Sequence, residues 1–263
     1  MTAAVQSPGV GIERMPGHWV LARLGKQVLR PGGKELSKAL HAELAIGPGD
    51  DVVEYGPGLG VTARKIIAAG PASYTAVDND QCAAERLRRR LPPGTYQLVA
   101  SSAARTGLPD GHASAVFGEA VLSMQSHAHK ERIITEAARL LRNGGRFGLH
   151  ELCLASSVSD GLAESIYQDL RTALKVNAKP LRVAGWTELL QAAGLHVEEI
   201  HHAPFRLLEP SRVLRDEGLR GSIRFARNLR RDAPARRRVL EMRAAIRKNR
   251  AHLAACAIVA SKP

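Results

Sequence analysis

Hydrophobic positions in residues 51–154 alternate between two spacings. Short runs rich in β-branched and aromatic residues predict strands, and the stretches between them carry apolar residues at helical spacing. The runs are VVEY, SYTAVD, TYQLVA, SAVFGEA and RFGLHELCL, and helices are predicted at residues 62–69, 81–90 and 128–141. Strands that alternate with helices are typical of a parallel sheet covered on both faces. The pattern therefore predicts five strands of an α/β domain.

The regions on either side of this unit are predicted to be largely helical. Residues 13–45 carry a helical pattern that is broken at Arg30-Pro31-Gly32-Gly33. In residues 158–177 apolar side chains recur at every fourth position. This spacing predicts an amphipathic helix whose apolar face packs against another part of the protein. That stripe consists of Leu162, Ile166, Leu170 and Leu174.

The C-terminal third adds two strands and a helical block. A helix around Trp186 ends at Gly194 and leads to a strand near residues 196–205, and the closing AACAIVAS predicts a final strand. Residues 210–252 are predicted to be helical. Pro234 suits the first turn of a helix that Asp232 can cap.

Positive charge is concentrated in this helical block. The chain has a formal net charge of +13, and residues 206–250 hold 15 Lys or Arg against 5 Asp or Glu. Such a block can attract nucleic acid, anionic lipid or an acidic substrate. We expect it to be mainly the solvated face of helices that pack through Val239, Met242 and Ile246.

Membrane, secretory and metal-binding classes are not favoured. The chain has no run of 18 apolar residues, and its first 19 residues have no signal-peptide core, so we expect a cytoplasmic protein. The three cysteines form no CxxC pair. His127 and His129 are two positions apart, a spacing that does not bring them onto one helical face, and no third ligand is evident. We predict no metal site.

A glycine-rich turn follows the first predicted strand. The chain reads Glu54-Tyr55-Gly56-Pro57-Gly58-Leu59-Gly60 and then enters a predicted helix. Glycine is needed where a side chain would keep the backbone away from a ligand, and the N–H groups at a helix start suit an anionic group. Asp78 closes the next strand, where a carboxylate can accept hydrogen bonds from both hydroxyls of a ribose.

These motifs resemble those of the class I S-adenosylmethionine (SAM)-dependent methyltransferases over about residues 50–200. That family has an acidic residue before GxGxG and a second acidic residue at the end of strand two. The segments GLPDG at 107–111, EAARLL and Asn143-Gly144-Gly145-Arg146 fit its later motifs. Within the class, the chain is most similar to the small-molecule branch that includes the quinone-biosynthesis methyltransferases.

The resemblance implies the fold and the cofactor. We expect a Rossmann-like, doubly wound, mostly parallel seven-stranded sheet that binds SAM. A single domain is predicted over residues 1–263. It would comprise a helical N-terminal segment (1–48), the SAM-binding core (49–155), a lid helix (156–180) and a C-terminal part (181–263) with the basic helical insertion 210–252.

The resemblance also implies where SAM lies. Gly56, Gly58 and Gly60 would line its methionine and ribose side, Asp78 would hold the ribose hydroxyls, and Asn79 would border the adenine. Glu119, at the end of strand four, would lie near the methyl group. Where the family often has an aspartate after strand three, this chain has Ser101-Ser102-Ala103. The expected SAM-binding residues are Glu54, Gly56, Pro57, Gly58, Gly60, Asp78, Asn79, Ser102, Ala103 and Glu119.

Three of these acids also have a structural interpretation. Glu54 could bond amides of its own turn, Asp78 could cap the following helix, and Glu119 could be a buried, hydrogen-bonded acid.

Catalysis requires chiefly that the nucleophile be held in line with the methyl–sulfur bond, since the sulfonium already activates the methyl group. A general base is required only for an acceptor that is protonated at the working pH. Glu151, His150 and Tyr167 are the candidates, at the end of strand five and on the helix where the family has its substrate lid. His150 could instead be satisfied by backbone bonds, and Tyr167 could serve in lid packing.

Two other functions remain open. An RNA methyltransferase or a SAM-binding regulator could use the arginine-rich block, but only 4% of residues are aromatic, which leaves few platforms for stacking bases. An NAD(P)-dependent oxidoreductase is disfavoured because Val61 occupies the third glycine position of GxGxxG. We predict a small-molecule methyl acceptor as the partner, rather than nucleic acid or a membrane, and leave homo-oligomerisation open.

Overall fold

The computed structural model describes residues 11–263, apart from the side chains of Gln81, Cys82 and Ala84. Residues 1–10 of the predicted N-terminal segment lie outside the described residues. The strands are β1 (Asp51–Tyr55), β2 (Ser73–Val77), β3 (Gln97–Val99), β4 (Ala113–Glu119), β5 (Leu141–Leu154), β6 (Leu181–Arg182), β7 (His196–Pro204) and β8 (Leu253–Ser261). The helices are α1 (Gly17–Arg23), α2 (Gly33–Leu44), α3 (Val61–Ala68), α4 (Gln81–Arg88), α5 (His127–Leu140), α6 (Asp160–Leu174), α7 (Val183–Ala192), α8 (Pro210–Arg231) and α9 (Ala233–Lys248).

These strands form one sheet in the order β3-β2-β1-β4-β5-β8-β7. β8 runs antiparallel to both of its neighbours, and the other pairs are parallel. The predicted Rossmann-like, mostly parallel seven-stranded sheet is confirmed. The two-residue strand β6, which pairs with β5, was not predicted.

Helices cover both faces of the sheet. On one face, α2, α3 and α4 bury Leu40, Ile66 and Leu87 against the strands. On the other, α5 and α7 bury Ile134 and Trp186. Because the two faces are closed in this way, the carboxyl ends of the parallel strands are left as the natural place for a ligand.

Four helices, α1, α6, α8 and α9, form a group that we call the cap. A third apolar cluster joins the cap to the end of β5. α9 contributes the buried side chains Val239, Met242 and Ile246, so the predicted stripe faces the domain. The stripe predicted for α6 is wrong at Leu162, which is 37% exposed. Steps of four residues advance 400° and drift around a helix. The face of α6 that is buried comprises Ala163, Ile166, Leu170 and Ala173.

The basic block is not uniformly solvated. Arg236 and Arg237 of α9 are exposed. Arg238 is 3% exposed, and its Nη1 donates a hydrogen bond of 2.8 Å to the backbone oxygen of Ala173 at the end of α6. Arg238 therefore ties two cap helices together. None of the helices in residues 11–263 combines the length and the hydrophobicity needed to cross a bilayer.

Candidate active site

A cavity of about 380 Å³ opens where β1, β2 and β4 end. The glycine turn and three acidic residues, Glu54, Asp78 and Glu119, line it from the side of the sheet. The cap and the segment between β7 and α8 line it from the opposite side. One space therefore joins a polar wall to an apolar wall.

The glycine turn has a conformation that other residues would strain. Gly56 has a φ of 60°, and a Cβ at this position would lie 2.7 Å from Cγ2 of Val121. Gly56, Pro57 and Gly58 line the cavity. Gly60 lies outside the lining, and a Cβ there would meet Leu87 of α4 at 2.8 Å. Its glycine is explained by helix packing.

Asp78 and Asn79 both line the cavity at the end of β2. Oδ1 of Asp78 accepts a hydrogen bond of 2.9 Å from the backbone N–H of Asp80, which stabilises the turn before α4. Burial raises the pKa of the Asp78 carboxyl. Ser102 and Ala103 do not line the cavity, since Ser102 faces its own turn and accepts from the N–H of Ala104.

Glu54 is a buried carboxyl on the wall of the cavity. The hydroxyl of Tyr74 donates to its Oε2 at 2.5 Å. Burial raises the pKa of Glu54 to about 8, and the charges of Glu119 and Asp78 contribute in the same direction. This carboxyl is thus largely neutral at physiological pH.

Glu119 is fully engaged by hydrogen bonds. Its oxygens accept from Arg30 Nη1 at 2.5 Å, Ser37 Oγ at 2.5 Å and Thr62 Oγ1 at 2.6 Å. Burial alone would raise the pKa of Glu119, but the Arg30 guanidinium and the hydrogen bonds hold it well below its ordinary value. Glu119 is therefore an ionised carboxylate that is both structural and exposed to the cavity.

Arg30 reaches Glu119 from the segment between α1 and α2. The sequence predicts a break between helices there and indicates no role for Arg30. Residues 24–32, which we call the strap, connect α1 to α2 and pass along the cavity. Oε1 of Glu217 in α8 anchors the strap by accepting from the backbone N–H groups of Gln27 at 3.0 Å and Val28 at 2.9 Å. The Nε of Arg30 is buried and has no hydrogen-bond partner in the described part of the chain.

The three side chains expected as candidate bases lie outside the cavity lining. His150 is fully buried, with Nδ1 3.2 Å from Glu119 and Nε2 against the backbone oxygen of Pro31. The hydroxyl of Tyr167 donates to the backbone oxygen of Pro180 at 2.9 Å, a packing contact.

Glu151 is fully buried beneath the loop that follows β4. Its carboxylate accepts from the backbone N–H groups of Val121, Leu122 and Ser123 at 2.7–2.9 Å, and from the Ser123 hydroxyl. Val121 and Ser123 line the cavity. Glu151 thus shapes the wall without reaching the space inside it.

The described residues contain no cluster of three or more potential metal ligands. His127 lies on the surface, where its Nε2 is 3.2 Å from Glu131.

Comparison with known proteins agrees with this architecture. Residues 52–145 match the family described as "Methyltransferase domain". A curated protein of Haemophilus influenzae, whose own function is uncharacterized, is 28% identical over 216 residues, which cover 81% of this chain and 84% of that protein.

Two solved structures have the same fold. Phosphoethanolamine N-methyltransferase 2 of Haemonchus contortus, in complex with SAM, matches with a TM-score of 0.67 at 14% identity and covers 94% of this chain and 57% of that one. The [4+2]-cyclase SpnF matches with a TM-score of 0.65 at 18% identity and covers 87% of this chain and 80% of that one. At such identities the likeness concerns the fold alone. The family match confirms the predicted enzyme class, a SAM-dependent methyltransferase.

Proposed function

We propose that the protein transfers the methyl group of SAM to a small-molecule acceptor that binds in the same cavity. The observation that carries this proposal is the composition of the cavity, whose sheet side has the acids and the glycine turn and whose cap side is apolar. A cofactor and an acceptor could therefore meet in one space. The proposal includes membership of the small-molecule branch that contains the quinone-biosynthesis methyltransferases, which the sequence motifs resemble most.

The residues on the sheet side fit SAM chemically. Asp78 offers a carboxylate for the ribose hydroxyls, and the ionised Glu119 offers negative charge to the ammonium and sulfonium groups. Glu54, which is largely neutral, offers hydrogen-bonding atoms rather than charge. Arg30 has a buried donor, Nε, without a partner. A guanidinium suits a carboxylate such as that of methionine. We assign Arg30 to this role.

When bound, SAM supplies an activated methyl group. The residues of this chain then bind SAM and the acceptor, orient them and exclude water. Orientation alone can lower a barrier by about 7–11 kcal/mol. The cap covers the cavity opposite the strand ends, and closing a site removes water that would compete with the acceptor. We propose that α6 acts as part of this lid, since Leu174 at its end lines the cavity.

His150 and Glu151 act as positioning residues in this proposal. His150 links Glu119 to the strap, and Glu151 fixes the loop after β4. Neither needs to touch the acceptor, because a base is required only for a protonated nucleophile.

Calorimetry with SAM, S-adenosylhomocysteine (SAH) and NADH tests the cofactor assignment. We expect micromolar binding of the first two and no signal with NADH. Release of SAH in the presence of phenols, quinones, thiols and amines then tests transfer. Tight binding of NADH together with no SAM signal would contradict the proposal.

A further inference from the structure

The cap side of the cavity contains a group of apolar side chains that belong to one cluster, and we call this group the chamber. It is formed by three elements that are far apart in the sequence, namely the end of α6, the segment before α8 and the inner face of α9. Its residues are Leu174, Phe205, Leu207, Leu208, Met242 and Ile246.

Four of the six chamber side chains are almost inaccessible to solvent. Phe205 and Leu208 are each 6% exposed, Ile246 is 4% exposed and Met242 is 0% exposed, although all four line the cavity. Side chains of an open groove would be accessible to solvent. A molecule that enters the chamber must therefore lose nearly all the water around the part that it inserts.

Charged side chains of the cavity lie elsewhere. They come from the strap, from the strand ends and from the turn after β2, and they are Arg30, Glu54, Asp78, Asp80 and Glu119. Two buried cations lie four residues from a chamber residue in the chain, and both have partners. Arg238 donates to the backbone oxygen of Ala173, and Arg212 donates to Glu35. Burying an ionised group without a partner is strongly unfavourable, whereas burying a methylene group is favourable.

The imidazole of His18 also lines the cavity, from α1, and the charges of Arg86 and Asp80 act on it. Burial lowers its pKa to about 4, so it is neutral at physiological pH. It adds no charge to which an ionised acceptor could bind.

We propose that the chamber selects an uncharged, largely apolar acceptor, and that it supplies no general base. This inference rests on the proposed function. The acceptor's nucleophilic atom forms the new bond to the methyl carbon while the carbon–sulfur bond breaks. The electron pair of that bond stays on sulfur, which becomes neutral. Because the chamber supplies no base, the nucleophilic atom must react through a lone pair that it already has, as the nitrogen of a neutral amine or the sulfur of a thioether does. The methylated atom takes on the positive charge that the sulfonium loses, and a methylated amine that still carries a proton releases it to water.

The test compares three ligands of eight carbons whose head groups differ in charge: 1-octanol, octanoate and octylammonium. Calorimetry on the protein saturated with SAH should give 1-octanol a dissociation constant at least about tenfold lower than that of either ion. Octanoate or octylammonium that binds as tightly as 1-octanol would overturn the proposal, and so would the absence of any binding of 1-octanol.

A lysine placed in the chamber should reverse this preference. Leu207 is only partly buried, so Leu207→Lys should fold, weaken 1-octanol and strengthen octanoate about tenfold. Leu214→Lys is the matched control, because Leu214 is 50% exposed on α8 and lies outside the cavity lining. An unchanged order of ligands in Leu207→Lys would contradict the proposal. If Leu207→Lys fails to fold, the order in the wild type still decides.

Titration of the wild type with SAH distinguishes a failure of the proposed function from a failure of the chamber proposal. If the wild type does not bind SAH, the proposed function fails, and the three octyl ligands can still be compared on the protein alone. If SAH binds and the ions are preferred, only the chamber proposal fails.

Discussion

The free energy of unfolding of the wild type should fall as the pH rises because of Glu54, and Glu54→Gln should abolish this fall. The pKa of Glu54 is about 8 in the folded protein, against an ordinary value of 4.5. Between these values the folded protein keeps a proton that the unfolded chain has released. The free energy of unfolding must then fall as the pH rises.

The magnitude follows from the size of the shift. Each pKa unit corresponds to about 1.4 kcal/mol, so the wild type should lose about 3 kcal/mol of stability from this group between about pH 5 and about pH 7.5. A glutamine cannot ionise, and its oxygen can still accept from Tyr74. Glu54→Gln should therefore be close to the wild type at pH 5 and more stable than the wild type by about 3 kcal/mol at pH 7.5.

Urea denaturation of both proteins across this range measures the difference. His18 titrates in the opposite sense, because burial lowers its pKa from 6.5 to about 4 and stability rises with pH between those values. Its contribution is the same in both proteins and cancels. Glu188→Gln supplies the same chemical change at an exposed position of α7 and should show no trend. A constant difference between Glu54→Gln and the wild type across the range would refute the reasoning.

Three further changes test other parts of the site. Asp78→Ala should weaken the binding of SAH by about 1–3 kcal/mol in calorimetry while the protein stays folded, because it removes a buried hydrogen-bond acceptor. An unchanged dissociation constant would leave Asp78 with only its turn-stabilising role. Glu151→Gln should lower the free energy of unfolding by about 1–3 kcal/mol, because an amide cannot accept from all the donors of the loop after β4; a fall in kcat with unchanged stability would instead indicate a general base. Reversing the charge of Arg236 and Arg237 together should leave turnover on a small acceptor within a few fold, and radiolabelled methyl that accumulates in RNA at physiological salt and is lost in this variant would favour an RNA substrate. Arg238 must be left intact in that experiment because it is buried between cap helices.

The helices, the strands and the glycine turn could be predicted because each depends on neighbouring residues. Alternating runs such as VVEY and SYTAVD marked β1 and β2, and glycine at position 56 indicated a backbone that a side chain would strain. The position of Asp78 followed from the end of its strand. Periodicity and turn chemistry act over a few residues, so they can be recognised without knowledge of the rest of the chain.

The partners of the buried polar groups required the tertiary structure. Glu119 and Arg30 are 89 residues apart in the chain, and Val28 and Glu217 are 189 apart, yet each pair is hydrogen-bonded. Nothing near Glu151 in the sequence shows that its carboxylate faces a loop rather than the cavity.

The sequence alone determined the class of fold and the strand ends where the cofactor belongs, because the spacing of apolar residues and glycines dictates local backbone. Only the packing of the cap, the strap and the sheet decided which acids face the cavity, which hold the protein together and where the apolar chamber closes, because those roles depend on contacts between segments that are distant in the chain.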